Sequence, residues 1–254
     1  MPQKSGKPLI LLVLLAVALG GSESAHALGE TIDFSNAVTA GFDSWAESLE
    51  AGTGADSSWE FPFGRPRVAD LDQQEQKIVL SLRKLVLKGN IEDLESLADQ
   101  VERRQGEIPA QMRFWLAYAQ GKLDQKQACL NNLQLLLVVQ DGWQHLDKGQ
   151  QAWVLTGTPD LLFLLDNREL AARMYARLAA SSVTQLNLWG QYQLAGMDFL
   201  DRDFDQASKR YRMVCEAEPG TWREHACAMA EIAGRLSRLG REGEPDGAVA
   251  SANP

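Results

Sequence analysis

Hydrophobic residues recur along most of the chain at the three- and four-residue spacing that places them on one face of an amphipathic helix. Short polar or glycine-bearing turns interrupt this pattern and divide it into predicted helices. They cover approximately residues 33–49, 71–85, 91–101, 108–120, 128–139, 153–165 (interrupted by Pro159), 170–178, 188–200, 204–214 and 222–239. No stretch shows strict apolar–polar alternation bounded by hairpin turns, so no strand is predicted.

The turns place consecutive helices in antiparallel pairs. One such hairpin cannot bury its own apolar face, so neighbouring hairpins must stack on one another. We therefore predict an all-α fold of four or five stacked hairpins over residues 69–240, with 222–239 as a terminal capping helix. Residues 28–68 are predicted to be a separate N-terminal helix and a loop rich in Gly, Ser and Pro, and residues 241–254 a disordered tail.

The best-defined hairpin lies between Leu188 and Pro219. Small side chains at Ala195 and Ala207 would let its two helices cross closely. It resembles one tetratricopeptide repeat, a unit of about 34 residues. The positions that match the family's spacing are Leu194, Ala195, Phe204, Ala207, Tyr211 and Pro219, whereas Gln191 and Asp198 depart from it. The resemblance implies a short right-handed α-solenoid whose first helices line a concave groove.

In this family the groove receives a peptide or a segment of another protein. The positions that the resemblance places in the groove are Trp189, Tyr192, Gly196, Phe199 and Leu200. Aromatic side chains of this kind are good binding anchors. Asp198, with Asp201 and Asp203, would add a negative rim that favours a basic partner. The alternative is that Trp189 and Tyr192 pack against the preceding helix, residues 170–178.

Residues 1–27 have the pattern of a secretory signal. Lys4 and Lys7 precede the apolar run 9–19, and Ala25-His26-Ala27 forms a signal-peptidase site. We expect cleavage after Ala27 and a periplasmic or secreted protein without membrane insertion; an uncleaved anchor is the alternative. The absence of an N-x-S/T sequon favours a bacterial periplasm.

The formal net charge of −9 becomes −10 when the signal is removed. The negative net charge argues against nucleic acid as a partner, because binding phosphates requires clustered Lys and Arg. An oxidising compartment permits disulfides. Cys215 and Cys227 lie late in one predicted helix and early in the next, so they form either a disulfide or two buried thiols, and Cys129 would be free and buried.

Little in the sequence indicates catalysis. After cleavage only His145 and His225 could serve as a catalytic histidine, and neither lies in a motif. Asp201, Asp203 and Asp205 resemble the start of a calcium-binding loop. The residues that follow them do not include the glycine and the closing glutamate that such a loop requires. We therefore predict no catalytic residue, metal or cofactor.

The predicted function is that of a non-catalytic exported protein similar to tetratricopeptide-repeat proteins, which binds a protein partner and supports assembly of an envelope complex. The alternative is an accessory glycan-binding or cell-wall-modifying helical domain, in which some of the seven Trp residues stack on sugar rings.

Overall fold

The computed structural model describes residues 31–52, 66–104, 106–138, 142–217 and 223–242. Within them there are ten α-helices, one 3₁₀ turn (Gly142–His145) and no strand, which confirms the all-α prediction. The helices are α1 Thr31–Gly52, α2 Gln73–Lys88, α3 Ile91–Glu102, α4 Ala110–Lys122, α5 Lys126–Val138, α6 Lys148–Leu164, α7 Arg168–Ala179, α8 Thr184–Leu200, α9 Phe204–Glu216 and α10 Arg223–Glu242. The predicted signal, residues 53–65 of the predicted loop, Pro219 and residues 243–254 lie outside the described residues.

The same turn closes four helical hairpins, α2/α3, α4/α5, α6/α7 and α8/α9. In each turn one residue adopts a left-handed conformation, with φ between 59° and 68°: Gly89, Asp124, Asp166 and Arg202. The N–H of the next residue donates to a carbonyl five positions back, at 2.8–3.3 Å in all four turns. This is the Schellman arrangement that ends many helices. The four hairpins therefore share one turn geometry.

Successive hairpins pack against one another along the chain, and α10 packs on α9. Within α8/α9, Ala195 and Ala207 are fully buried. Between hairpins, Gly190 of α8 lies directly against the backbone of α7: a Cβ added there would be 2.6 Å from the Tyr175 carbonyl oxygen and 2.8 Å from the Cα of Ala179. The small side chains therefore allow close helix approach both inside a hairpin and between hairpins.

Helix α1 packs against α5, α6 and α7, which are distant from it in sequence. Phe42 and Leu49 are buried in the main hydrophobic core. The Arg177 guanidinium of α7 holds the Glu50 carboxylate through Nη1–Oε1 and Nη2–Oε2 contacts of 3.0 and 3.4 Å, and its Nε lies 3.8 Å from Asp43. The structure thus includes α1 in the helical stack.

Helix α6 continues through Pro159, where the sequence pattern suggested an interruption. Proline cannot donate a backbone hydrogen bond inside a helix. In the preceding turn the Thr158 hydroxyl donates to the Val154 carbonyl at 2.7 Å. Burial of Pro159 and of its neighbours Leu155 and Leu162 keeps the helix continuous.

Candidate binding cavity between two hairpins

A cavity of about 90 Å³ lies where the hairpins α6/α7 and α8/α9 meet. Corresponding positions of the two hairpins line it, each pair 36 residues apart, as are the turn residues Asp166 and Arg202. The pairs are Asp160 and Gly196, Leu164 and Leu200, and Tyr175 and Tyr211. The cavity is therefore a product of hairpin stacking, because each hairpin supplies one wall.

Asp160 is the one charged residue among the described residues that line the cavity. The Tyr175 hydroxyl donates to its Oδ1 at 2.7 Å, and Gln193 Nε2 donates to the same atom at 3.3 Å. Burial raises the pKa of Asp160 to about 7, although hydrogen bonds from Tyr175 and Trp189 favour the ionised form. Burial thus favours the protonated carboxyl group more than it does for a solvent-exposed aspartate.

Besides Gln193, three tyrosines, Tyr175, Tyr192 and Tyr211, complete the polar lining. Burial raises the pKa of all three above that of free tyrosine, to about 12 for Tyr192. They remain uncharged throughout the physiological range. The Tyr192 hydroxyl lies 2.6 Å from His225 Nδ1 of α10, and its ring meets the Tyr211 ring edge to face. These contacts join Tyr192 to α10 and to Tyr211.

The rest of the lining is apolar, with Phe163 and Met197 beside the paired leucines. Pockets for drug-sized ligands measure roughly 300–1,000 Å³. The volume here has room for several water molecules or for the end of one long side chain. The cavity is suited to binding a small protruding group, which the Asp160 carboxyl group can orient.

The structure brings some of the predicted groove residues to this cavity. Tyr192, Gly196 and Leu200 line it, and Leu200 remains 39% exposed at the C-terminal end of α8. Trp189 is buried in the main core and stacks on Tyr192 with ring centroids 6.3 Å apart. Trp189 is therefore a buried residue of the core and does not line the cavity.

Phe199 and Asp198 do not line the cavity. The Phe199 ring packs edge to face against Phe204 of α9. Asp198 accepts from Arg210 Nε at 2.8 Å, in an ion pair that joins α8 to α9. Asp203 caps α9 by accepting from the Gln206 N–H. Of the predicted acidic rim, two carboxylates thus have roles inside the hairpin.

The histidines and cysteines have structural contacts. His145 lies 3.4 Å from Asp70, and His225 contacts Tyr192. Cys215 and Cys227 are joined in a disulfide, which links α9 to α10. Cys129 is free and buried, and burial raises the pKa of its thiol to about 12. In the described ranges no three His, Cys, Asp or Glu side chains are grouped to hold a metal ion.

Asp160, Tyr175 and Gln193 were not predicted as site residues. The available signal was an alignment of the chain with itself at an offset of 36 residues, which superimposes Tyr175 on Tyr211 and Asp160 on Gly196. A carboxylate next to the apolar run 161–165 was a second signal, because an acid in such a run is buried only at a cost.

Comparison with protein-family models, with curated proteins and with solved structures finds no match for this chain. Within the described residues, no helix combines the length and apolar character needed to cross a bilayer.

Proposed function

We propose that this chain is a non-catalytic, exported helical-repeat protein that binds a segment of a protein partner at the cavity between α6/α7 and α8/α9, and thereby supports assembly of an envelope complex. The cavity is the observation that carries the proposal. It opens between the first helices of two consecutive hairpins, which is where the resemblance to tetratricopeptide repeats implies a binding surface.

The rigidity of the cavity walls supports a binding role. Hydrogen bonds hold Tyr175 and Tyr192, and the close contact at Gly190 holds α8 on α7. A binding surface that is already formed loses little conformational freedom when its partner arrives. The partner's segment would then bear most of the ordering cost.

Two features support export. The first 27 residues have the pattern of a cleavable signal, and the Cys215–Cys227 disulfide is of the kind that persists in oxidising compartments. The acidic balance of the chain favours a partner with basic character. A periplasmic or secreted location follows as part of the proposal.

The alternative, glycan binding, gains less support. Stacking on sugar rings requires exposed aromatic faces. Among the described tryptophans, Trp45, Trp115 and Trp189 are buried, while Trp143 and Trp153 are half-buried against the core. The cavity itself is small for a sugar ring.

Site-specific photocrosslinking in cells tests the proposal. A benzophenone amino acid replaces Leu200 at the cavity or, as a matched control, Leu87 on α2, which is 48% exposed and distant in sequence. We expect discrete adducts with an envelope protein from position 200 and none from position 87.

A cavity-filling variant provides the second control. Gly196→Leu directs a side chain from α8 into the cavity, where an added Cβ would be 3.5 Å from the Tyr211 hydroxyl, an ordinary contact. Circular dichroism would verify that this variant is folded. It should lose the adduct at position 200. Absence of any adduct from position 200, or equal adducts from both positions, would contradict the proposal.

A further inference from the structure

We propose that the cavity receives the side-chain ammonium group of a lysine from the partner segment, with Asp160 as its counter-ion. This inference rests on the proposed function and adds the chemistry of the group that is bound. Its basis is the position of a carboxyl group in an apolar cavity that no cation of the described chain occupies.

Charge is the first step of the argument. Asp160 has hydrogen bonds from uncharged donors on α7 and α8, and no Lys, Arg or His side chain in the described ranges forms an ion pair with it. Other partly buried acids differ in this respect: Glu50 is paired with Arg177, and Asp198 with Arg210. A cation that enters beside a carboxyl group in apolar surroundings favours the ionised form of that group.

Shape is the second step. The walls formed by Phe163, Leu164, Met197 and Leu200 are apolar, and so is the four-carbon stem of lysine. Leu164 and Leu200 are the last residues of α6 and α8, so the C-terminal ends of both helices lie at the cavity. Helix C-termini carry partial negative charge and favour a cation nearby.

The number of acceptors selects lysine over arginine. A guanidinium presents five N–H donors in a planar fork, whereas an ammonium group presents three. The charged lining consists of one carboxyl group, to which the tyrosine hydroxyls Tyr175 and Tyr211 add neutral acceptors. An ammonium group at the end of a narrow apolar stem matches this small set.

Titration of the protein with n-butylammonium chloride, followed by the backbone amide resonances of Gly196 and Met197, tests the chemistry directly. Butan-1-ol serves as the neutral probe of the same length. At pH 8.5, where Asp160 is ionised, we expect butylammonium to bind at least tenfold more tightly than butan-1-ol. Equal affinity of the two probes would overturn the proposal, and this comparison needs no variant.

Two matched variants locate the effect. Asp160→Asn should weaken butylammonium binding at least tenfold and leave butan-1-ol binding unchanged. Asp201→Asn removes an exposed carboxylate from the neighbouring turn and should change neither. Equal butylammonium binding by wild type and Asp160→Asn would overturn the proposal.

Photocrosslinking at position 200 distinguishes the source of the ammonium group. The yield of the adduct should fall in the Asp160→Asn variant. It should also fall when the lysine of the captured segment is changed to Met. An adduct of equal yield with and without Asp160 would overturn the lysine assignment while leaving partner binding intact. Ammonium selectivity without any adduct in wild type would assign the cavity to a free amine, and would overturn both proposals.

Discussion

Gly190 is the residue whose substitution tests the packing of one hairpin on the next. A methyl group there would be 2.6 Å from the Tyr175 carbonyl oxygen and 2.8 Å from the Cα of Ala179, against an ordinary contact of 3.4 Å or more. Both neighbours are backbone atoms, so α7 and α8 must move apart by close to 1 Å. Overpacking typically costs about 1–3 kcal/mol, and backbone neighbours that cannot rotate away place this site at the upper end, about 3 kcal/mol; the better helix propensity of alanine returns about 1 kcal/mol.

We therefore expect Gly190→Ala to lower the free energy of unfolding by about 2 kcal/mol, or the melting temperature by roughly 4–8 °C for a chain of this size. Urea titration followed by circular dichroism at 222 nm measures it. Gly157→Ala in α6 is the matched control, because its Cβ would meet the Leu133 side chain at an ordinary 3.6 Å. The control should be neutral or more stable by up to about 1 kcal/mol. If Gly190→Ala is as stable as Gly157→Ala, the described contact between α7 and α8 is refuted.

Three further substitutions test other contacts of the stack. Replacing Cys215 and Cys227 by Ser removes a cross-link spanning 12 residues and should cost about 3 kcal/mol; the variant's melting temperature should no longer respond to dithiothreitol, and a continuing response would contradict the bond. Glu50→Gln should cost about 1–2 kcal/mol at pH 7. Pairing with Arg177 lowers the folded-state pKa of Glu50. The ionised Glu50 therefore adds to the free energy of unfolding above pH 4.5, and this stabilisation is lost as the pH falls below that value. The difference in urea midpoint between variant and wild type should therefore shrink as the pH falls below 4.5, and an unchanged difference would exclude the ion pair as the cause. Arg202→Gly should raise the free energy of unfolding, measured by urea titration, by about 0.5–1 kcal/mol, since glycine adopts the φ of 63° without strain; a loss of stability would argue against that turn geometry.

The helices and their turns follow from local sequence, which explains why they could be predicted. Gly89-Asn90, Asp166-Asn167 and Arg202-Asp203 interrupt the apolar pattern at the positions where the structure has its Schellman turns. The side chains that then cap the next helix, such as Asn90 and Asp203, act within three residues. Turn and capping residues that act on neighbours only a few positions away can be recognised from a single sequence.

The position of α1 could not be predicted in the same way. Its apolar stripe shows that one face is buried, but the partner of that face is set by contacts more than 80 residues away, such as Gly41 against Leu137 and Glu50 with Arg177. The hydrophobic pattern of a helix shows that one face is buried, but it does not identify the helix that covers that face. The same reasoning explains Pro159, because the burial that keeps α6 continuous comes from tertiary packing.

The cavity was only partly predictable. The resemblance to one repeat located Tyr192, Gly196 and Leu200 because they belong to the best-matched hairpin. Asp160 and Tyr175 come from the preceding hairpin, whose match to the family pattern is weaker. The charge at the cavity is therefore supplied by a residue that only the stacking of two hairpins brings into position.

The ionisation of Asp160 is the most direct test of this cavity. A ¹³C NMR titration of its carboxyl carbon, assigned by the resonance missing from Asp160→Asn, measures the pKa in the folded protein. Enclosure by the two stacked hairpins predicts a pKa of about 7 and a decrease when butylammonium binds. A pKa near 4, unchanged by butylammonium, would mean that Asp160 is solvated and that the two hairpins do not enclose it.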